Sequence, residues 1–332
     1  MKQDTGIRTK PFLTAVLVAA AVAAVGAAPA RAAEGSFDRT LKVSAPVSLD
    51  VRTGSGNIRV RQGDASSVVI HAEIRSGHGD WGASDAEARI HEIEQHPPIE
   101  QEGNTIHIGH THDSELYRNI SISYEIRTPA QTRLEAQTGS GDLAATGIEL
   151  EITGRTGSGN IRVEDTGGQA ELSAGSGDVQ LRNARGGARI SSGSGNVTGE
   201  NVAGPVTASS GSGTVRLELT GAGDVEASSG SGNIVLRGVK GTVRAHTGSG
   251  DIEARGEQRG EWHLRTGSGN VSVELPPGAG FELDAHSGSG NIQTEREIMV
   301  QGTLSQREIR GRAGSGGPLL ELKTSSGNIY LR

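Results

Sequence analysis

The tetrapeptide Gly-Ser-Gly-Asn, or a close variant, recurs along this chain at a nearly fixed step. Its fourth residue is Asn57, Asp142, Asn160, Asp178, Asn196, Thr214, Asn233, Asp251, Asn270 and Asn291, and a Ser-Ser-Gly-Asn copy ends at Asn328. From Asp142 to Asn270 the steps are 18, 18, 18, 18, 19, 18 and 19 residues. A fixed period of this size is the mark of a solenoid. A low-complexity linker can share the Gly and Ser content but has no reason to keep register.

The residues between the tetrapeptides carry the rest of the pattern. The position after the fourth residue is always aliphatic, as in Ile58, Ile161, Val179, Val215, Ile234 and Ile329. Two positions further on, Val60, Val163, Leu181, Leu217 and Leu236 repeat the choice, with polar Arg59, Arg162, Gln180 and Arg216 between. This alternation of period two describes a strand with one buried face. The segment before each tetrapeptide alternates in the same way, through Leu134/Ala136, Ile152/Gly154, Ala170/Leu172 and Val243/Ala245. Immediately before it stands, almost always, Thr or Ser (Thr138, Thr156, Ser192, Ser210, Thr247, Thr266), a hydroxyl able to bond backbone at a corner. Each unit is therefore strand, turn, strand, second turn.

The predicted fold is an all-β, parallel β-solenoid, β-helix-like, with rungs of 18 residues stacked about 4.8 Å apart. Composition agrees with a thin core of Ala, Val, Ile and Leu: 51 of 332 residues are Gly, and only 2 Trp, 3 Tyr and 3 Phe are present. That scarcity excludes a thick-cored α/β enzyme. Outward columns also suit in-register stacking, because Glu171/Arg189 and Glu226/Arg244 become neighbours while like charges do not. In that column His263 is followed by Asp284.

The repeat needs ends. Residues 36–130 are predicted to supply an N-terminal β-rich cap containing a first rung (Leu49, Val51, Ile58, Val60). It also holds a strand over Val68–Ile74, a helix at about 84–95, and strands at Thr105–Ile108 and Ile120–Ile126. Ser84 with Glu87 forms a capping box, Ala86, Ile90 and Ile93 an apolar stripe, and Pro97-Pro98 a stop. Residues 131–332 form the solenoid proper, with an irregular insertion at about 295–316, after which Leu320, Leu322, Thr324, Ile329 and Leu331 restore the columns.

Residues 1–32 read as a signal peptide: Lys2, Arg8 and Lys10, then an apolar run from Phe12 to about Ala28, then small-residue cleavage sites ending at Ala30 and Ala32. Export to the periplasm or outside the cell follows. The whole chain holds 32 basic and 39 acidic residues; removing Lys2, Arg8, Lys10, Arg31 and Asp4 leaves 28 and 38. An acidic, aromatic-poor chain is no partner for nucleic acid. Past the leader, no stretch is long and apolar enough to span a bilayer. With no Cys, stability must come without disulfides.

Few residues point to chemistry. The turns differ from the calcium-binding Gly-Gly-x-Gly-x-Asp repeat, because the position where its Asp belongs is always aliphatic here; stacked Asn residues instead suit backbone satisfaction. The sequence offers one candidate metal cluster, His107, His110 and His112 with Asp113, in a segment without helical ligand spacing. Its simpler reading is a strand end with titratable residues, so no metal or other cofactor is assigned. His246 and His286 fall in one outward column, two rungs or about 9.6 Å apart, too far to share an ion. No Gly-x-Ser-x-Gly or phosphate-binding loop occurs, and the short repeating turns leave little room for a cleft, so no catalytic residue is assigned.

From Phe37 to Arg332 the chain resembles the bacterial putative-adhesin family of β-strand-repeat proteins, which is related to auto-transporter adhesin head domains. The resemblance rests on Thr-Gly-Ser-Gly-Asn-Ile-Arg-Val at 53–60 and 156–163, Tyr-Glu-Ile-Arg-Thr-Pro-Ala at 124–130, and Thr-Ser-Ser-Gly-Asn-Ile-Tyr-Leu at the end. It implies a β-repeat fold in a cell-envelope setting and no general activity. The expected function is a non-catalytic binding or envelope-scaffold module whose partner is an envelope protein or glycan. Two alternatives are a subunit that assembles end to end and a hydrolase or lyase of envelope polysaccharide.

Overall fold

The computed structural model describes residues 33–77, 83–110, 115–300 and 305–332. The proposed leader, His112 and Asp113 lie outside the described residues. The described residues belong to one compact unit. Among the described residues, one sheet contains 14 strands and a second contains 15. Each solenoid unit contributes one strand to each, so the chain is a parallel β-solenoid.

The register is the one the columns predict. Ile161, Arg162 and Val163 lie opposite Val179, Gln180 and Leu181, and Ala170, Glu171 and Leu172 opposite Ala188, Arg189 and Ile190. The inward residues of both sheets, among them Ile161, Val163, Leu172, Ile190, Ile234 and Leu236, are almost wholly buried. Where an inner column holds glycine, a neighbour fills the space: a Cβ on Gly154 would meet Leu172 Cδ2 at 3.1 Å.

Three ladders of polar atoms run along the corners. First, a hydroxyl before the tetrapeptide donates to a glycine carbonyl of the adjacent rung: Thr156 to Gly141 O at 2.9 Å, Ser192 to Gly177 O at 2.8 Å and Thr247 to Gly232 O at 2.8 Å. Second, the Asn or Asp closing the tetrapeptide accepts the backbone N–H of its counterpart one rung on. Asn160 N–H donates to Asp142 Oδ1 at 2.9 Å, and Asp178 N–H to Asn160 Oδ1 at 2.9 Å. These side chains serve the backbone, as expected. Third, the opposite corner stacks Asp165, Asn183 and Asn201 in left-handed geometry (φ of 56°, 52° and 55°). Asn183 Nδ2 donates to Asp165 Oδ1 at 2.8 Å and Asn201 Nδ2 to Asn183 Oδ1 at 3.1 Å. The second glycine of the tetrapeptide is required by close approach, since a Cβ on Gly159 would lie 1.8 Å from Gly141 O.

Parallel stacking gives way to antiparallel strands at both ends. The first rung, Val47–Ser55 and Ile58–Gln62, pairs in parallel with the rung at 132–146. Beyond it come Ile120–Thr128 in parallel, then Ser67–Ser76 and Glu34–Lys42 antiparallel. The helix Ala83–Gln95 buries Ala86, Ile90 and Ile93. It crosses close over Gly35, where a Cβ would meet Ile90 Cγ2 at 2.4 Å.

The other end departs from chain order. Leu319–Ser326 inserts between Trp262–Ser268 and Phe281–Ser287, parallel to both. Likewise Ile329–Leu331 lies between Val271–Glu274 and Ile292–Thr294. The irregular stretch is a β excursion: Glu308–Ala313 runs antiparallel to Phe281–Ser287, and Ile298–Val300 antiparallel to Glu308–Ala313. Two expectations are corrected by this insertion. His246 and His286 are three rungs apart, separated by Arg265 and Lys323. Like charges do become neighbours, because Glu321 sits between His263 and Asp284. The longer step from Asn270 to Asn291 makes room for the added strand; nothing local in the sequence says which strand fills it.

Candidate functional site

The strand Thr105–Ile108 continues the alternation of the first rung, Ile106 and Ile108 lying opposite Leu49 and Val51. His107 must then face outward opposite Asp50. The chain turns at Gly109, whose positive φ of 76° suits glycine, and His110 returns to the same spot. His110 Nε2 lies 2.9 Å from Asp50 Oδ2, and His107 Nδ1 lies 3.6 Å from the same oxygen. The imidazole centroids are 5.1 Å apart at an interplanar angle of 72°. Both nitrogens are shielded from solvent and make no aligned hydrogen bond. Arg52, two residues along the same strand face, donates Nε to Asp50 Oδ1 at 3.2 Å and Nη2 to Oδ2 at 3.1 Å.

Of the sequence candidates, the structure thus brings His107 and His110 together. It adds Asp50, which sequence reasoning missed although the matching of Thr-Ile-His-Ile to Ser-Leu-Asp-Val was there to read. Asp50, His107 and His110 offer three ligand atoms within 4.8 Å of one another.

A second polar cluster surrounds Glu321 on the inserted strand. Its carboxylate accepts from Arg265 Nη2 at 2.6 Å and from Lys323 Nζ, and lies 2.9 Å from His263 Nδ1. Neighbouring Asp284 takes Arg310 Nε at 3.2 Å. Burial pushes the Glu321 carboxyl up, but the hydrogen bonds from Lys323, His263 and Arg265 and the charge of Arg265 outweigh it, leaving a pKa of about 2. The cluster is self-compensated, which is what a structural ion network needs.

The open faces are flat and charged. Arg155 bridges Glu135 at 3.6 Å and Glu171 at 3.1 Å on one sheet. On the other, Arg182 bridges Glu164 at 3.6 Å and Glu200 at 3.0 Å. Glu171 therefore takes Arg155 rather than its register neighbour Arg189. Two shallow clefts, of about 310 and 200 Å³, flank the Arg255–Glu274 ion pair (2.6 Å). No helix among the described residues is long and apolar enough to cross a membrane.

Stacked rungs, corner ladders and polar faces define a β-solenoid repeat protein. The Toastrack DUF4097 family matches residues 35–191 and 185–332, and the chain belongs to that family. No curated protein matches it. Solved structures similar to it include a putative adhesin from Bacteroides fragilis NCTC 9343 (16% identity, 90% of this chain and 97% of that one, TM-score 0.31). A putative cell adhesion protein from Clostridium sporogenes ATCC 15579 aligns at 10% identity over 90% and 99% of the two chains, with a TM-score of 0.23. A putative lipid binding protein from Parabacteroides distasonis ATCC 8503 aligns at 12% identity over 90% and 97%, with a TM-score of 0.29.

Proposed function

We propose that the protein is an exported, non-catalytic binding or scaffold module of the cell envelope, acting in the periplasm or outside the cell on an envelope protein or glycan. The observation that carries this reading is the pair of outward sheet faces on which charged side chains pair across rungs, as Arg155 does with Glu135 and Glu171. A flat, repeating polar surface suits an extended polar ligand better than it encloses a small substrate. End-to-end assembly has less support: among the described residues, three of the four sheet edges are strands of 3 or 4 residues, and short edges resist pairing with another chain.

Capture from envelope extracts and from immobilised envelope glycans tests the reading. Wild-type protein should retain a partner that the charge-reversed face (Arg155→Glu with Arg189→Glu) loses. Turnover of a polysaccharide by the wild type would replace the reading with the hydrolase or lyase alternative. Capture unaffected by the reversal would remove the face from consideration, and concentration-dependent growth in sedimentation would favour assembly.

A further inference from the structure

We propose that Asp50, His107 and His110 form a binding site for a divalent transition cation of the zinc class, at the outer face of the first rung. This goes beyond the binding-module reading and does not depend on it.

The separations are those such an ion imposes. A tetrahedral cation with ligand bonds of about 2.0–2.1 Å holds its ligand atoms about 3.3 Å apart. The two separations from Asp50 Oδ2, 2.9 Å to His110 Nε2 and 3.6 Å to His107 Nδ1, bracket that value. The donor set, two imidazole nitrogens and one carboxylate oxygen, matches a borderline cation rather than calcium or magnesium, which take oxygen ligands. Nitrogens shielded from water without an aligned hydrogen bond are costly, and a bound ion removes that cost by taking both lone pairs.

Arg52 fits the scheme as the group that orients the carboxylate. Its two hydrogen bonds to Asp50 occupy one side of the carboxylate, as the outer-shell partners of ligating carboxylates do. The ligands come from two segments far apart in sequence, a rung strand and the strand Thr105–Ile108 with its following turn. A bound ion therefore ties the strand Thr105–Ile108, and the edge strand Ile99–Glu102 paired with it, to the first rung.

The test uses the purified protein without a polyhistidine tag. Equilibrium dialysis with Zn²⁺ should give one tight equivalent per chain, and Co²⁺ should give the visible absorption of a low-coordinate site. His107→Ala and His110→Ala should each weaken Zn²⁺ binding at least about tenfold, since even outer-shell losses reach that size, and should abolish the cobalt spectrum. His96→Ala, on the exposed end of the helix, should leave both unchanged. Circular dichroism establishes that the variants are folded. Zn²⁺ should also raise the thermal midpoint of the wild type and not of His110→Ala. No tight equivalent in the wild type, or an equivalent that survives the double variant, would overturn the site.

Discussion

The hydroxyl ladder has one natural gap, and that gap makes its energetics measurable in both directions. Ser192 is 5% exposed, donates to Gly177 O at 2.8 Å and accepts the Gly195 N–H at 2.9 Å. One rung earlier the same column holds Ala174, 3% exposed. There the Gly159 carbonyl and the Gly177 N–H have no such hydroxyl. Ser192→Ala removes both bonds and strands a buried donor and acceptor, which costs about 2 kcal/mol. Ala174→Ser supplies the missing pair in a site of the same shape, and should stabilise by about 1 kcal/mol, the net worth of a buried hydrogen bond less the hydroxyl's own desolvation. Urea unfolding at neutral pH reads both changes through the midpoint, provided the slope stays constant. Amide exchange gives a local reading: the Gly195 N–H should exchange roughly thirtyfold faster in Ser192→Ala if that turn opens on its own. A Ser192→Ala variant within about 0.5 kcal/mol of wild type, or an Ala174→Ser variant that is destabilised, would refute the idea that the ladder holds rungs together.

Other expectations test the core and the inserted strand. Ile234→Asp places a charge at a fully buried inward position and should unfold the chain, with a loss above about 4 kcal/mol. Glu226→Gln on the outer face of the same stack should stay within about 0.5 kcal/mol, and equal effects in circular dichroism melts would overturn the inside–outside assignment. Glu321 has a folded-state pKa of about 2 against an ordinary 4.5. Its ionised form therefore contributes about 3 kcal/mol above the ordinary value, lost as pH falls from about 5 to 2. Comparing urea midpoints of wild type and Glu321→Gln across that range should show their difference shrinking toward acid; parallel curves would mean the cluster contributes nothing.

How much of this was legible in the sequence depends on how local the determining contacts are. The solenoid was readable because each rung repeats the environment of the last, so Ile161, Val179 and Val197 occupy one column by sequence spacing alone. The helix was readable from Ala86, Ile90 and Ile93, and ends at Gln95 before the two prolines. The second corner column, Asp165, Asn183 and Asn201, also keeps an 18-residue step and was available to the same reasoning. Asp50 was harder to see. Its neighbour His107 lies 57 residues further along the chain, and only the register match of Ile106 to Leu49 brings them together. The placement of Leu319–Ser326 was not legible at all. Its inward residues fit any rung, and a pairing between identical columns carries no address in the pattern.

That insertion separates the order of synthesis from the order of the stack. Residues made later fill an interior slot, and the rung made before them becomes the outer one. In a simple solenoid, losing the final residues trims one end and leaves the remaining interfaces whole, because each repeat touches only its neighbours. Here the loss of Leu319–Leu331 would open a gap two strand spacings wide, about 9.6 Å, with Phe281–Ser287 and its excursion stranded on the far side. The stack therefore cannot close strictly in chain order; the rung at 281–294 meets its neighbour only once residues 319–331 are present.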